Sequence, residues 1–258
     1  MSNRTEDLKR IEAALGAAAE AVRPFVAGSV AFETKEERGD PLTQADLAVD
    51  RVLRETLPRD GEGWLSEETA DDPARVGRAR CWVVDPIDGT REFVDGIPEW
   101  CISVGLVEDG EAVAGGVLNP ATGERVVGSV ETGVTLNGRI VPPSKDRPLA
   151  GARVYASRSE VRRGEWERYQ DAPFEVVPCG SVAYKLALVA AGRCDATWTL
   201  VPKHEWDVAA GAALVRAAGL EVIHADGSRP GFNQVSPKLP NFLAGPARLL
   251  QEFRSGWA

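Results

Sequence analysis

A chain of 258 residues, 43% apolar and 27% charged, has an ordinary globular composition and is long enough for one large core or two linked subdomains. A net charge of −9 sets aside nucleic-acid binding by bulk electrostatics. No apolar run approaches the roughly 20 residues that span a bilayer, and the polar start Met1-Ser2-Asn3-Arg4 carries no secretory apolar stretch, so a cytoplasmic protein with no membrane attachment is expected.

In chain order, Leu8, Ile11, Leu15, Ala18, Ala19 and Val22 recur at helical spacing and predict an opening amphipathic helix over 7–22. Residues 35–41 are polar and contain glycine, a loop. Thr43 reads as the N-cap of a second helix that runs to Leu57 and stops at Pro58. Strands are predicted at 64–65, 81–84, 101–107, 112–118 and 125–130, with Glu108-Asp109-Gly110-Glu111 as a hairpin turn. Pro142-Pro143-Ser144-Lys145-Asp146 is the linker candidate, which divides the chain into halves 1–145 and 146–258. Beyond it strands and helices alternate: strand 153–156, helix 161–169, strand 174–177, helix 181–191, strand 196–200, helix 206–218 and strand 221–223. Gly219 is a good C-cap for that final predicted helix. The pattern gives an α+β first half and an α/β second half. Cys81, Cys101, Cys179 and Cys194 form no C-x-x-C pair, so buried free thiols are expected, and neither of the two histidines stands beside a cysteine to suggest structural zinc.

The densest chemistry lies in Asp85-Pro86-Ile87-Asp88-Gly89-Thr90, directly after the apolar run Cys81-Trp82-Val83-Val84. Two carboxylates three residues apart, split by a proline turn at a strand end, can converge on one point. That suits a hard divalent cation, which prefers carboxylate and carbonyl oxygens. Gly89-Thr90 adds backbone N–H groups and a hydroxyl where the chain bends, a seat for an anion. Asp-Pro and Asp-Gly are also common turn dipeptides. Glu67-Glu68 alone fits a solvated turn, and Asp46 and Asp207, each in a first helical turn, fit acids placed by the helix dipole. Gly211 and its flanking alanines suggest close packing of the last predicted helix.

Taken in order, Lys35, Leu42-Thr43-Gln44-Ala45-Asp46, Ser66-Glu67-Glu68, Asp85 to Thr90, Gly180-Ser181 and Trp206-Asp207-Val208-Ala209-Ala210-Gly211 resemble the motifs of the inositol monophosphatase superfamily. Those enzymes are magnesium-dependent, lithium-sensitive phosphatases, and the resemblance covers nearly the whole chain. It implies a layered α/β/α/β/α sandwich, a homodimer and two to three Mg²⁺ ions per site. It implies Glu67, Asp85 and the Ile87 carbonyl around one ion, and Asp85, Asp88 and Asp207 around a second. Asp46 and Glu67 would serve a looser third. Thr90, hydrogen-bonded to Asp46, would help Glu67 deprotonate the attacking water, and the N–H groups of Gly89 and Thr90 would bind phosphate oxygens. Bound metal also reconciles an acidic pocket with an anionic substrate.

The substrate implied is a small phosphate ester, with two branches in contention. Arg91-Glu92-Phe93, Leu65-Ser66-Glu67-Glu68, Ser157-Arg158-Ser159 and Lys185 resemble the 3′(2′),5′-bisphosphate nucleotidases, which remove the 3′-phosphate of adenosine 3′,5′-bisphosphate. Arg158, Lys185 and Lys203 would then meet the second phosphate, with Ser181 and Asp207 also on the substrate side. The spacing of Gly180-Ser181 to Lys185 and the position of His204 resemble the inositol enzymes instead, the 95–100 loop resembles inositol and histidinol phosphatases, and Glu160 replaces the histidine that often follows the nucleotidase Ser-Arg-Ser. The reading favours the nucleotidase, with inositol-1-monophosphatase or histidinol-phosphatase as alternatives. A regulatory, macromolecule-binding member of the superfamily is the alternative of a different class.

Overall fold

A computed structural model describes residues 4–34, 41–142 and 146–257. Lys35 and most of the linker candidate (Pro143, Ser144, Lys145) lie outside the described residues. Helix α1 (Arg4–Val22) is followed by the strand pair β1 (Phe32–Thr34) and β2 (Pro41–Thr43), then α2 (Gln44–Thr56). Thr43 caps α2 as expected, its hydroxyl accepting from the Ala45 and Asp46 N–H groups while Asp46 accepts from the Thr43 N–H.

The strands β3 (Gly63–Ser66), β4 (Arg80–Asp88), β5 (Cys101–Glu108), β6 (Glu111–Asn119), β7 (Glu124–Ser129), β8 (Gly133–Leu136) and β9 (Arg139–Ile140) form one seven-stranded sheet in sequence order. Only β3 and β4 run parallel within it. Asp109 and Gly110, both at positive φ, close the expected β5–β6 hairpin. The six-residue α3 (Thr90–Asp95) interrupts the passage from β4 to β5.

The second half supplies β10 (Arg153–Ser157), α4 (Arg158–Arg162), β11 (Glu175–Cys179), α5 (Val182–Ala190), β12 (Ala196–Thr199), the short β13 (Lys203–His204), α6 (Glu205–Ala217), β14 (Glu221–Ile223), the short β15 (Lys238–Leu239), β16 (Phe242–Gly245) and α7 (Ala247–Gly256). A five-stranded sheet has the order β11-β10-β12-β16-β14, its first three strands parallel and the others antiparallel. A helix expected over 161–169 is instead two pieces. Gly164, at φ 79°, stops α4, and a single 3₁₀ turn covers Glu167–Tyr169. Strand β16 and helix α7 had no counterpart among the predicted elements.

Alternation along β4 assigns the layers. Trp82 and Val84 face α1 and α2, packing with Ile11, Leu15, Val49 and Leu53. Cys81 and Val83 face the other way, into a core shared with α5, α6 and the inner side of the five-stranded sheet (Val222, Phe242, Ala244). A third cluster, with Trp166, Trp198, Tyr169 and Phe174, lies under α7 through Leu249, Leu250 and Phe253. The layers are thus α1/α2, sheet, α5/α6, sheet, α7. All four cysteines are buried and free.

Ionic groups pin the outer layer. Glu62 accepts from Arg10, from Arg80 Nε at 3.0 Å, from Trp82 Nε1 at 2.9 Å and from the Arg59 N–H at 2.9 Å. Burial opposes its charge, but these donors outweigh burial and bring its pKa down to about 2. A depressed acid contributes stability above its unfolded pKa near 4.5, and that contribution is lost as pH falls from there toward 2. The carboxylate contributes on the order of 2 kcal/mol, less than the full shift because the cluster is partly solvated. Urea midpoints for the unaltered protein should therefore fall over that window by more than those of Glu62→Gln. Parallel curves would mean that Glu62 is not ionised through these contacts.

Candidate active site

Parallel pairing of β3 with β4 sets Ser66 beside Val84, so the next residues, Glu67 and Asp85, leave the paired strands side by side. From α2, Asp50 holds the turn after β3, accepting from Ser66 Oγ at 2.5 Å and Thr69 Oγ1 at 2.7 Å. Asp85 continues the Cys81, Val83 face and so points toward α5 and α6.

Asp88, three residues on, would face the opposite way in a regular strand. The sequence suggested a proline turn; the structure has a bulge. Asp85 pairs with Ser103 and Asp88 with Cys101, so three steps on β4 answer two on β5. Pro86 lacks the N–H a regular ladder would use there, and the extra residue turns Asp88 to the same side as Asp85. Asp88 Oδ2 then accepts from Ser181 Oγ at 2.8 Å and from the Ala183 N–H at the start of α5.

The third wall is α6. Its small residues allow a very close approach: a Cβ on Gly115 would lie 2.4 Å from the Ala210 carbonyl oxygen, and one on Gly105 2.8 Å from the Ala210 nitrogen. Asp207, in the first turn of α6, accepts from the His204 N–H at 2.9 Å. Carboxylate oxygens of Glu67, Asp85 and Asp207 all lie within 4.8 Å of one another. Burial, then the charges of Glu67, Asp88 and Asp207, hold the Asp85 pKa well above the usual carboxylate range. Burial and the Asp88 and Glu67 charges push Asp207 up to about 8. Burial also raises Asp88, against its hydrogen bonds to Ala183 and Ser181.

Such a cluster is costly without positive charge in it. Asp85 Oδ1 is moreover buried with no hydrogen-bond partner. An all-oxygen donor set with an orphaned buried carboxylate oxygen fits a hard divalent cation. Beside it, Thr90 Oγ1 lies 2.9 Å from the Ile87 carbonyl oxygen and 3.2 Å from Asp46 Oδ1, while Asp46 Oδ2 accepts from Thr43. Gly89 reaches α3 at φ 96°, packed so closely that a Cβ would lie 3.0 Å from the Glu99 carbonyl oxygen. The first N–H groups of α3 follow at the edge of the cleft, where no helical carbonyl precedes them to accept.

Glu67, Asp85, Ile87, Asp88, Gly89, Thr90 and Asp207 line a cleft of about 380 Å³, whereas Asp46 is fully buried and outside its lining. Lys185 also lines it, but is 2% exposed, and its ammonium donates to the Ser181 carbonyl at 2.7 Å and the Cys179 carbonyl at 3.4 Å. It is therefore no solvated surface lysine. Lys203 lines the cleft and pairs with Glu160 at 3.1 Å. Burial opposes the Glu160 charge, but Lys203 and hydrogen bonds from Thr199 and Trp166 outweigh it and lower the pKa. Arg158 is placed differently from the sequence reading. Its guanidinium forks onto Glu99 at 2.6–3.0 Å, outside the cleft lining, and Glu99 also accepts from the Gly180 N–H at 2.7 Å. The cleft arginines are Arg91 and Arg163.

A family model described as the inositol monophosphatase family matches residues 4–255. The chain belongs to this family. It is 37% identical over 189 residues to an inositol-1-monophosphatase of Rhizobium meliloti, spanning 70% of each chain. It is 34% identical over 237 residues to a 3′-phosphoadenosine 5′-phosphate phosphatase of Mycobacterium leprae, spanning 84% of each. Among solved structures, the extragenic suppressor protein suhB from Bartonella henselae superposes with a TM-score of 0.80 at 26% identity over 96% of each chain. The layered sandwich is accordingly the inositol monophosphatase fold, and the protein is a phosphatase of that family.

Sequence reading of this family member passed over Asp50 and Arg163, and it did not foresee Glu99 as the partner of Arg158 or Glu160 as that of Lys203. Asp50 had a visible signal, since it follows Asp46 by one helical turn and shares its face of α2. Arg163 had none. Its place in the cleft depends on where Gly164 ends α4. Among the described residues no helix is long and apolar enough to cross a membrane.

Proposed function

We propose that the protein is a magnesium-dependent phosphomonoesterase of the 3′(2′),5′-bisphosphate nucleotidase type, cleaving adenosine 3′,5′-bisphosphate to AMP and phosphate. One observation carries the reading: a single cleft holds the carboxylates Glu67, Asp85, Asp88 and Asp207 together with Lys203 and Arg163. Lys203 is paired with Glu160 and Arg163 with Glu165, and an ester with one phosphate leaves those pairs undisturbed. One with two phosphates engages both sets of residues.

Glu67, Asp85 and the Ile87 carbonyl would hold one Mg²⁺, Asp85, Asp88 and Asp207 a second, and Asp46 with Glu67 a third. Bound there, the metal supplies positive charge against the phosphate and acidifies water. The protein's own part is orientation and proton transfer. The Gly89 and Thr90 N–H groups orient phosphate oxygens, and Glu67 takes up the proton of the attacking water. Thr90 Oγ1, held between Ile87 and Asp46, fixes the direction of that transfer. Attack in line with the leaving oxygen forms one P–O bond and breaks the other, with no covalent intermediate on the protein.

Phosphate release from adenosine 3′,5′-bisphosphate, inositol 1-phosphate and histidinol phosphate, compared at matched concentrations with magnesium, tests this. The bisphosphate should be preferred, and Arg163→Ala should raise its KM roughly tenfold, the scale of one charge-assisted contact. The same variant should leave the inositol 1-phosphate KM within about twofold. Preference for inositol 1-phosphate would favour the second reading, supported by His204, which lines the cleft stacked on Trp206 at 4.5 Å, and by the Rhizobium relative.

A further inference from the structure

Ser181, between β11 and α5, has φ 57° and ψ 127°, a backbone region that residues with a Cβ rarely occupy. Such strain persists only where the surroundings over-determine it. Here they do. The Ser181 hydroxyl donates to Asp88 Oδ2 at 2.8 Å, accepts from the Tyr184 N–H at 3.0 Å and lies 3.3 Å from the Cys101 thiol. Its carbonyl accepts from the buried Lys185 ammonium at 2.7 Å. The preceding Gly180 is locked as well: its N–H donates to Glu99, and a Cβ there would lie 2.5 Å from the Glu92 side chain.

A hydroxyl has one proton and two acceptor positions. At Ser181 the proton goes to Asp88, one acceptor position goes to Tyr184, and the thiol occupies the remaining side. Nothing is left for a substrate, which separates the hydroxyl from the substrate-contact role that the sequence suggested. Asp88 Oδ2 is equally committed, since it also accepts from the Ala183 N–H.

We propose that Ser181 is a positioning residue for Asp88: the strained turn ties Oδ2 to the start of α5 and so reserves Oδ1 for a divalent cation. Lys185 is the clamp beneath it, holding the Ser181 and Cys179 carbonyls so that the turn cannot relax. The inference rests on the reading of Asp88 as a metal ligand. It makes the β11–α5 turn part of the cation site, although none of its own atoms would touch the ion.

Two substitutions separate the hydroxyl from the strain. Ser181→Ala removes the donor and keeps the Cβ, whereas Ser181→Gly removes both and adopts positive φ freely. Magnesium binding is measured by isothermal titration calorimetry without substrate, alongside melting temperature and steady-state kinetics at saturating magnesium. Both variants should bind magnesium about tenfold more weakly, as loss of a group that orients a ligand does. The glycine variant should melt no lower than the alanine variant, and KM at saturating metal should stay within about twofold. Unchanged magnesium affinity with a raised KM would overturn the proposal and make Ser181 a substrate contact. Full affinity in the glycine variant alone would overturn it too, since the hydroxyl would then be dispensable. If the unaltered protein bound no magnesium, this inference and the proposed function would fall together; binding that is insensitive to Ser181 would sink only the former.

Discussion

Replacing Asp85 with asparagine is expected to lower turnover by roughly a thousandfold, the scale of losing a principal charge stabiliser of the transition state. The same change should leave the metal-free protein as stable as before or more so. Asp85 is 1% exposed, and burial together with the neighbouring carboxylates of Glu67, Asp88, Asp207 and Glu68 disfavours its charge. Removing that charge relieves repulsion while keeping the side-chain shape. Melting curves with and without magnesium check both halves. The unaltered protein should gain stability on adding the ion, and Asp85→Asn should gain far less while starting at or above the same baseline. A variant that loses stability without metal would show that Asp85 is held by contacts other than a cation.

The second large effect concerns packing. Gly115→Ala places a methyl group 2.4 Å from the Ala210 carbonyl oxygen, which is backbone and cannot swing aside. Either the sheet or α6 must shift, at a cost of about 3 kcal/mol. For a chain of this length that corresponds to a fall of roughly 6–12 °C in melting temperature. Because α6 also carries Asp207, kcat should fall with stability even though Gly115 lies outside the cleft. A stable variant with full activity would mean that the α6 contact is softer than its geometry. Gly16→Ala, where a Cβ would meet nothing within 4 Å and φ is not positive, separates a crowding effect from the general effect of alanine at a glycine.

What could be read from the residues alone follows from how locally each feature is encoded. Thr43 and Asp46 announce the start of α2 because the capping bonds join residues within one turn. Asp109-Gly110 announces the β5–β6 hairpin for the same reason. The acids at 67, 85, 88 and 207 stood out because each sits in a short distinctive string. Their convergence was another matter. The bulge between Asp85 and Asp88 is a relation between two strands, and only the pairing with Ser103 and Cys101 reveals it. Arg158 and Arg163 look alike in sequence, but Arg158 is tied to Glu99, far away along the chain, and stays outside the cleft lining. Strand β16 is four residues long and follows a polar stretch, too short for alternation to register. Helix α7 was readable in principle, since Leu249, Leu250 and Phe253 share one face behind Pro246.

The order of strands in the five-stranded sheet bears on how the enzyme is made. Strand β14 has no partner in that sheet except β16, which stands between it and β12 and is among the last segments of the sequence. The seven-stranded sheet, by contrast, is assembled from neighbours in sequence and can close early on the ribosome. Glu67, Asp85 and Asp88 are therefore in place while α6 still lacks its outer wall. A nascent chain carries an incomplete set of acids, and the site gains its full negative charge only when α6 docks on the seven-stranded sheet and brings in Asp207.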